Sequence, residues 1–466
     1  MTLNTKTPDP IDRDSIDSDS IDSNSDFLVL DKHTFEDLEV FESKTEGMSL
    51  FEICDRTRTK GGRIVLRRRM AQPWSQKRHI QATHESIHFI NKSRDTFSKL
   101  PSAFATNQVE KYTHDVLPIV REVNLLEFTF GAIEFWINQK RYYFDIVRGI
   151  QLTSGFILSL QRFISQFEGN LPKGEIAPLI EEMQTLLRRQ SLSSITKDGA
   201  GVLFWKVLRL DQIFRLHETV SLHRLLQLNY EIDALVSMAD ATREHNFVLP
   251  TINSGQNHIR AEGIVHPFLS KAVENPIALG QEHRVLFLTG PNMAGKTTYL
   301  RTFATALYLA QLGMGVPAKS FCFVPSQKLF TSFSLSDDLQ GGISYFRAEA
   351  LRVKAVAQAL ADGYKVVAFM DEPFKGTNVK DALDASLAIL EKFATKENSL
   401  FVVSSHLIEL AEPLKKTKQI DYRFFEAEEN EGRLRFDYKL HQGVSKQRLG
   451  IRVLKEEGIF ELLDKV

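Results

Sequence analysis

The sequence predicts a multidomain chain of α and α/β class, in which a helical half precedes a P-loop half built on a mainly parallel sheet. Three observations predict it. Through most of residues 27–256 apolar residues recur at helical spacing, with few strand signals. From Arg260 onward short apolar runs alternate with helical patterns, as in strands joined by crossover helices. The third observation is LTGPNMAGKTTYL, Leu288 to Leu300, in which Gly290, Gly295, Lys296 and Thr297 fit G-x-x-x-x-G-K-S/T.

Taken in order, residues 1–26 repeat DSIDS and hold seven Asp against Lys6 and Arg13, with almost nothing to bury, so a disordered acidic tail is expected. Helical periodicity then covers Leu117 to Phe167, Ala177 to Leu187 and Phe204 to Arg243. Turns at Leu171-Pro172-Lys173-Gly174 and Lys197-Asp198-Gly199 punctuate it. Arg284 to Thr289 has the length and composition of a buried strand, and Thr298 to Leu312 reads as the helix after the glycine loop.

That order gives the loop its chemistry. Glycines let consecutive N–H groups curl around phosphate oxygens, Lys296 would reach the β and γ phosphates, and the hydroxyl of Thr297 would ligate Mg²⁺. The binding set is Gly290, Pro291, Asn292, Met293, Ala294, Gly295, Lys296, Thr297 and Thr298. A second strand candidate, Lys365 to Met370, ends in Asp371-Glu372-Pro373. Asp371 would hold the metal ion through water, and Glu372 would orient and deprotonate an attacking water. A third run, Ser399 to Val403, leads to Ser404-Ser405-His406, which sets His406 at the carboxyl edge of the sheet, where ligands collect.

Composition bounds the rest. A chain of 466 residues, 43% hydrophobic, suggests two or three domains with buried cores. No run of about 20 apolar residues occurs and the N-terminus is acidic, so neither a membrane span nor a secretory signal is expected. Cys54 and Cys322 lack metal-ligand spacing, which fits a reducing, cytoplasmic setting. A net charge of −1 does not advertise a nucleic-acid partner, so local clusters must carry any such function. The clearest cluster is Lys60, Arg63, Arg67, Arg68, Arg69, Lys77 and Arg78, with smaller ones at Arg188-Arg189 and Lys415, Lys416 and Lys418.

Several ordered segments resemble the MutS-type ATPases of DNA mismatch repair. TGPNMAGKTTYLR is similar to that family's Walker A, including the Pro291-Asn292-Met293 insert, with Ala294 in place of a family glycine. EGIVHPFL resembles G-R-H-P, GVPA follows the loop helix, and DDLQGGISYFRAE parallels a composite-site signature with Ser344, Phe346 and Glu349 in register. MDEPFKGTN resembles M-D-E-x-x-R-G-T-S, SSHLIEL the A-T-H-Y-x-E-L segment, and LHQGVSKQRLGIRVLKEEGI the closing segment. Similarity in the helical half runs from Phe27 to about Ile90 and resumes at His223.

The resemblance implies a helical core and lever at 27–256, its clamp reduced or absent, then a P-loop (ABC-type) ATPase domain at 257–466, without the mismatch-recognition and connector domains. It implies ATP and Mg²⁺ as cofactors and a homodimer in which Ser344 of one chain completes the site of Lys296 in the other. Glu372, Lys296, His406 and Ser344 would be catalytic, with His406 sensing the γ phosphate. The partner would be duplex or branched DNA, read without mismatch preference. The alternative is an ATP-switched protein-assembly factor that has lost DNA binding. Departures fall at Lys375 and Asn378, which replace arginine and serine, and at Thr83, where arginine is usual. No aromatic lies between Phe268 and Phe287 to stack on adenine, which leaves Tyr438 as the candidate.

Overall fold

A computed structural model describes residues 26–43, 47–122, 124–167, 169, 172–195, 203–269, 271–333, 345–430, 433–445, 447, 454 and 458–463. The acidic segment 1–25 and Ser344 lie outside these residues.

The helical half is organised around the helix Thr219–Glu244, buried on nearly every face. It packs against the helices Lys60–Ala71, Lys77–Lys92 and Ile176–Leu187. Leu222, Leu225, Ile232 and Leu235 supply apolar contact, while its buried carboxylates bind specific partners. Asp233 accepts from the N–H of Thr59 at 2.9 Å and from its hydroxyl at 2.6 Å. Thr59 in turn accepts from the N–H of Gly62 and caps the helix Lys60–Ala71. Asp240 takes a two-pronged contact from Arg94, both bonds at 2.6 Å. A buried carboxylate left unpaired would cost several kcal/mol, so these pairs fix where the outer helices dock.

The long periodic stretches prove to be interrupted. Leu117 to Phe167 divides into the helices Leu125–Asn138 and Lys140–Ile164, and residues 115–122 are not helical, as Pro118 requires. Phe204 to Arg243 divides at a π-helical turn, Ile213–His217. There Arg215 reaches back to Asp211 and donates to the carbonyls of Leu117 and Pro118. These polar contacts distort the helix, a tertiary effect that periodicity does not register.

Twelve strands follow among the described residues: β1 Thr251–Ile252, β2 Ile259–Ile264, β3 Asn275–Leu279, β4 Val285–Thr289, β5 Ser320–Phe323, β6 Lys328–Ser332, β7 Val366–Asp371, β8 Leu400–Ser404, β9 Ile420–Phe424, β10 Ala427–Asn430, β11 Arg433–Phe436 and β12 His441–Gln442. The central sheet has the order β12-β9-β4-β8-β7-β6, parallel throughout except for β12 at its edge. β4, at its middle, is buried at all five positions, as its unbroken apolar run requires. The expected mainly parallel sheet is joined by a second, mostly antiparallel one, β1-β5-β2-β3, which the sequence reading does not anticipate. β2 pairs antiparallel with both β3 and β5; among the described residues no helix lies between β2 and β3 to return the chain for a parallel pairing.

The two halves share one continuous apolar core, from Leu28 through Leu225 and Phe303 to Phe425. Val29 adds a parallel bridge to Lys328 on the free side of β6. The short helix Lys32–Asp37 packs on the same strand, and buried Asp37 accepts from the Thr331 hydroxyl at 3.0 Å and the Phe333 N–H at 2.9 Å.

Candidate functional site

The glycine loop leaves β4 at Thr289 and enters the helix Lys296–Gln311, buried along nearly its whole length. Gly290 adopts φ +144°, and a Cβ there would lie 2.8 Å from the carbonyl oxygen of Phe425. Gly295 caps the helix in the left-handed region at φ +104°. With no side chain over the helix start, its first N–H groups and the positive end of its dipole face the loop, an arrangement suited to an anion. Ala294 is buried and is not among the residues at positive φ, so an alanine is accommodated there without backbone strain. Pro291 is half-buried, while Asn292, Met293 and Thr298 stand outward. Met293 pays a small backbone strain at φ +70°.

Three strand ends converge on that loop. Lys296, almost fully buried, donates to the carbonyls of Gly290 at 2.9 Å and Pro291 at 3.3 Å, and its ammonium lies 3.4 Å from Glu372 Oε1. Thr297 donates to Asp371 Oδ2 at 2.5 Å. The other oxygen of Asp371 accepts from the hydroxyl of Ser404 at the end of β8. Ser404 also holds Glu372, whose N–H donates to its carbonyl at 3.1 Å and its hydroxyl at 3.2 Å. Glu372 sits at φ +51°, an uncommon conformation for a side chain of its size and a mark of a constrained site.

Electrostatics follow from these contacts. His406 Nδ1 lies 3.7 Å from Glu372 Oε2, and together with Lys296 it holds the carboxyl down at about 2. The same carboxylate raises the imidazole of His406, which is about half exposed. Glu372 is therefore a carboxylate at neutral pH, and its basicity is suppressed by two cations. The Thr297 hydroxyl and the Asp371 carboxylate form a hard oxygen pair of the kind that Mg²⁺ takes.

Lys296, Thr297, Asp371 and Glu372 line a cavity of about 680 Å³, together with Leu269, Val273, Lys375 and Tyr438. Tyr438, at φ +55°, stands against Gly295, and its carbonyl accepts from Asn275 at 2.9 Å. The structure thus brings together Lys296, Thr297, Asp371, Glu372 and His406. Ser344 falls outside the described residues, but Glu349 of the same motif is described. It is buried, accepts from the N–H groups of Lys375 at 3.3 Å and Gly376 at 3.2 Å, and is pushed up by burial. It holds the turn beyond Glu372. Sequence reasoning assigned no role to Ser404, and only its place at a strand end beside Asp371 could have signalled one.

Several members of the basic cluster have partners within the chain, although Lys60, Arg63, Arg67, Arg68 and Arg78 stay exposed. Arg69 is paired with Glu175, Arg63 with Asp55 at 3.3 Å, and Arg78 with Asp26 at 2.7 Å. The guanidinium of Arg67 lies over the Phe41 ring, 4.4 Å from its centre. Arg189 contacts Glu218, and Lys415 pairs with Glu412. Thr83 donates to Glu175, and its side chain packs against Gly313.

Residues 33–239 match the family model of MutS domain III, and residues 286–463 that of MutS domain V. The first match includes the helical span between Ile90 and His223 that carries no motif of its own. The DNA mismatch repair protein MutS of Alkaliphilus oremlandii (strain OhILAs) is 31% identical over 252 residues, which cover 52% of this chain and 28% of that protein. Its namesake in Brevibacillus brevis (strain 47 / JCM 6285 / NBRC 100599) is 33% identical over 243 residues, 50% of this chain and 27% of that protein. The match therefore spans little more than a quarter of either curated relative.

Proposed function

The chain belongs to the MutS family, and from that premise we propose that it is a Mg²⁺-dependent ATPase whose composite dimer sites control binding to duplex or branched DNA in repair or recombination. The observation that carries the reading is the convergence of Lys296, Thr297, Asp371 and Glu372 on one cavity at a helix N-terminus, with His406 beside Glu372. In this reading residues 27–256 form the helical core and lever, and residues 257–466 the ATPase domain.

The loop N–H groups and Lys296 bind the phosphates. Lys296 exchanges the carbonyls of Gly290 and Pro291, and its contact with Glu372, for phosphate oxygens. Once its nearest cations have turned to the phosphate, Glu372 recovers basicity and takes a proton from the attacking water. His406, freed from the same carboxylate, senses the γ phosphate. Thr297 and Asp371 would hold Mg²⁺, which neutralises charge developing on the transferred phosphoryl group. Tyr438 offers a ring at the rim for the base. Ser344 of a second copy completes the site, and a cytoplasmic location fits the two free thiols. No described helix is long and apolar enough to cross a membrane.

Phosphate release assays with ATP and Mg²⁺ test the reading. Glu372→Ala should lower turnover by about 10²- to 10⁴-fold while leaving nucleotide binding intact. Unchanged turnover would refute the assignment. A second reading, an ATP-switched protein-assembly factor, draws on the ion pairs that occupy Arg63, Arg69 and Arg78. DNA binding over a salt series separates the two, because phosphate contacts give a negative slope of log K against log salt.

A further inference from the structure

The helix Leu125–Asn138 carries two apolar stripes. Phe128, Ala132 and Phe135 are buried against the helices Lys140–Ile164 and Phe204–Gln212. Leu126, Phe130, Ile133 and Ile137 run along another face and are 70%, 72%, 40% and 56% exposed. Their spacing of four, three and four residues is that of a helix-pairing seam. A solvated helix ordinarily places polar residues on its outer face.

Two properties of this face identify what covers it. The first is area. Leu125 and Trp136 flank the stripe at 78% and 43% exposure. At roughly 150–250 Å² for each large side chain, the six leave on the order of 700 Å² of apolar surface per chain. Monomers rarely leave more than a few hundred Å² contiguous, whereas each partner in a standard interface contributes about 800 Å². The second property is self-complementarity. The four-three-four spacing reads the same from either end. Two copies laid antiparallel about a two-fold axis therefore set Leu126 against the partner's Ile137 and Phe130 against the partner's Ile133. The same operation brings exposed Lys140 and Arg141, just past the helix end, beside exposed Glu122 and Glu127 near its start.

We propose that this face of Leu125–Asn138 is an interface between two copies of the chain, formed by antiparallel pairing of the exposed stripe and separate from any contact at the glycine loop. It does not depend on the nucleotide reading.

The test is sedimentation velocity of the full chain without nucleotide over a concentration series, comparing wild type with Phe130→Glu. Wild type should associate, and the variant should raise the dissociation constant by about tenfold or more. Its far-UV circular dichroism should be unchanged, since Phe130 is mostly exposed within the single chain. Orientation is read from oxidative cross-linking, where a mixture of Phe130→Cys and Ile133→Cys chains should link to each other in preference to linking to themselves. Equal sedimentation of wild type and Phe130→Glu would overturn the proposal. So would preferential Phe130→Cys self-linking, or association of a monomeric wild type with phosphatidylcholine vesicles that Phe130→Glu abolishes.

Discussion

Replacing Glu372 with glutamine tests the electrostatics of the site without any assumption about its substrate. The carboxylate lies 3.7 Å from His406 and 3.4 Å from Lys296, and these two cations lower it from 4.5 to about 2. A carboxyl depressed in the folded state contributes stability that is present above its unfolded value and lost as pH falls through its folded one. Here the window runs from about 4.5 down to about 2. At about 1.4 kcal/mol per pH unit the whole contribution is about 3 kcal/mol, and about 2 kcal/mol of it is gone by about pH 3. Glu372→Gln has no such titration. Its deficit relative to wild type should therefore shrink by about 2 kcal/mol between about pH 6 and pH 3. In a chain of this size that is on the order of 2–4 °C of melting temperature. Thermal melts of both proteins at stepped pH measure it. Parallel acid limbs would show that the two cations do not act on Glu372 as the geometry implies.

The same pairing predicts that Glu372→Gln lowers the raised pKa of His406 toward its ordinary value near 6.5, which histidine resonances in an NMR titration report directly. Ser404→Ala removes the hydroxyl partner of Asp371 and one acceptor of the Glu372 N–H. ATP hydrolysis should then need about 10- to 100-fold more Mg²⁺, and an unshifted Mg²⁺ curve would mean that Asp371 is held without it. Gly290→Ala places a methyl 2.8 Å from a backbone oxygen at a φ that disfavours side chains. It should lose about 1–3 kcal/mol in unfolding experiments, and a neutral result would show a compliant loop. Mixing inactive Lys296→Ala with inactive Ser344→Ala should restore part of the activity if sites are shared between chains, and demonstrated subunit exchange without recovery would refute sharing.

The centre of the site was legible because its residues are tied to short local patterns. An apolar run, two glycines and a lysine specify strand, loop and helix with little help from the remainder, and Lys296 and Thr297 fall where those patterns set them. Asp371 and His406 were legible for a related reason, since each follows a run too apolar to be anything but a buried strand. What could not be read depends on contacts between segments far apart. The break at Ile213–His217 reflects where Arg215 finds acceptors, nearly a hundred residues upstream. The role of Ser404 exists only because β8 lies beside β7 in register, Ser404 opposite Asp371. The charge clusters could not be resolved residue by residue for the same reason, because a run of arginines looks alike whether it faces solvent or, like Arg69, reaches a carboxylate 106 residues away.

The bridge from Val29 to Lys328 and the bonds from Asp37 to Thr331 and Phe333 also bear on how the molecule is made. Their partners lie almost 300 residues downstream. At ribosomal rates of about 5–20 residues per second, the first segment waits on the order of 15–60 s for the strand that receives it. Over that interval Asp37, buried in the finished structure, lacks the Thr331 and Phe333 groups that it accepts from. The segment around Val29 and Asp37 can meet its near neighbours at Leu50, Phe51 and Pro73 early, but its docking on the sheet must wait until β6 has emerged.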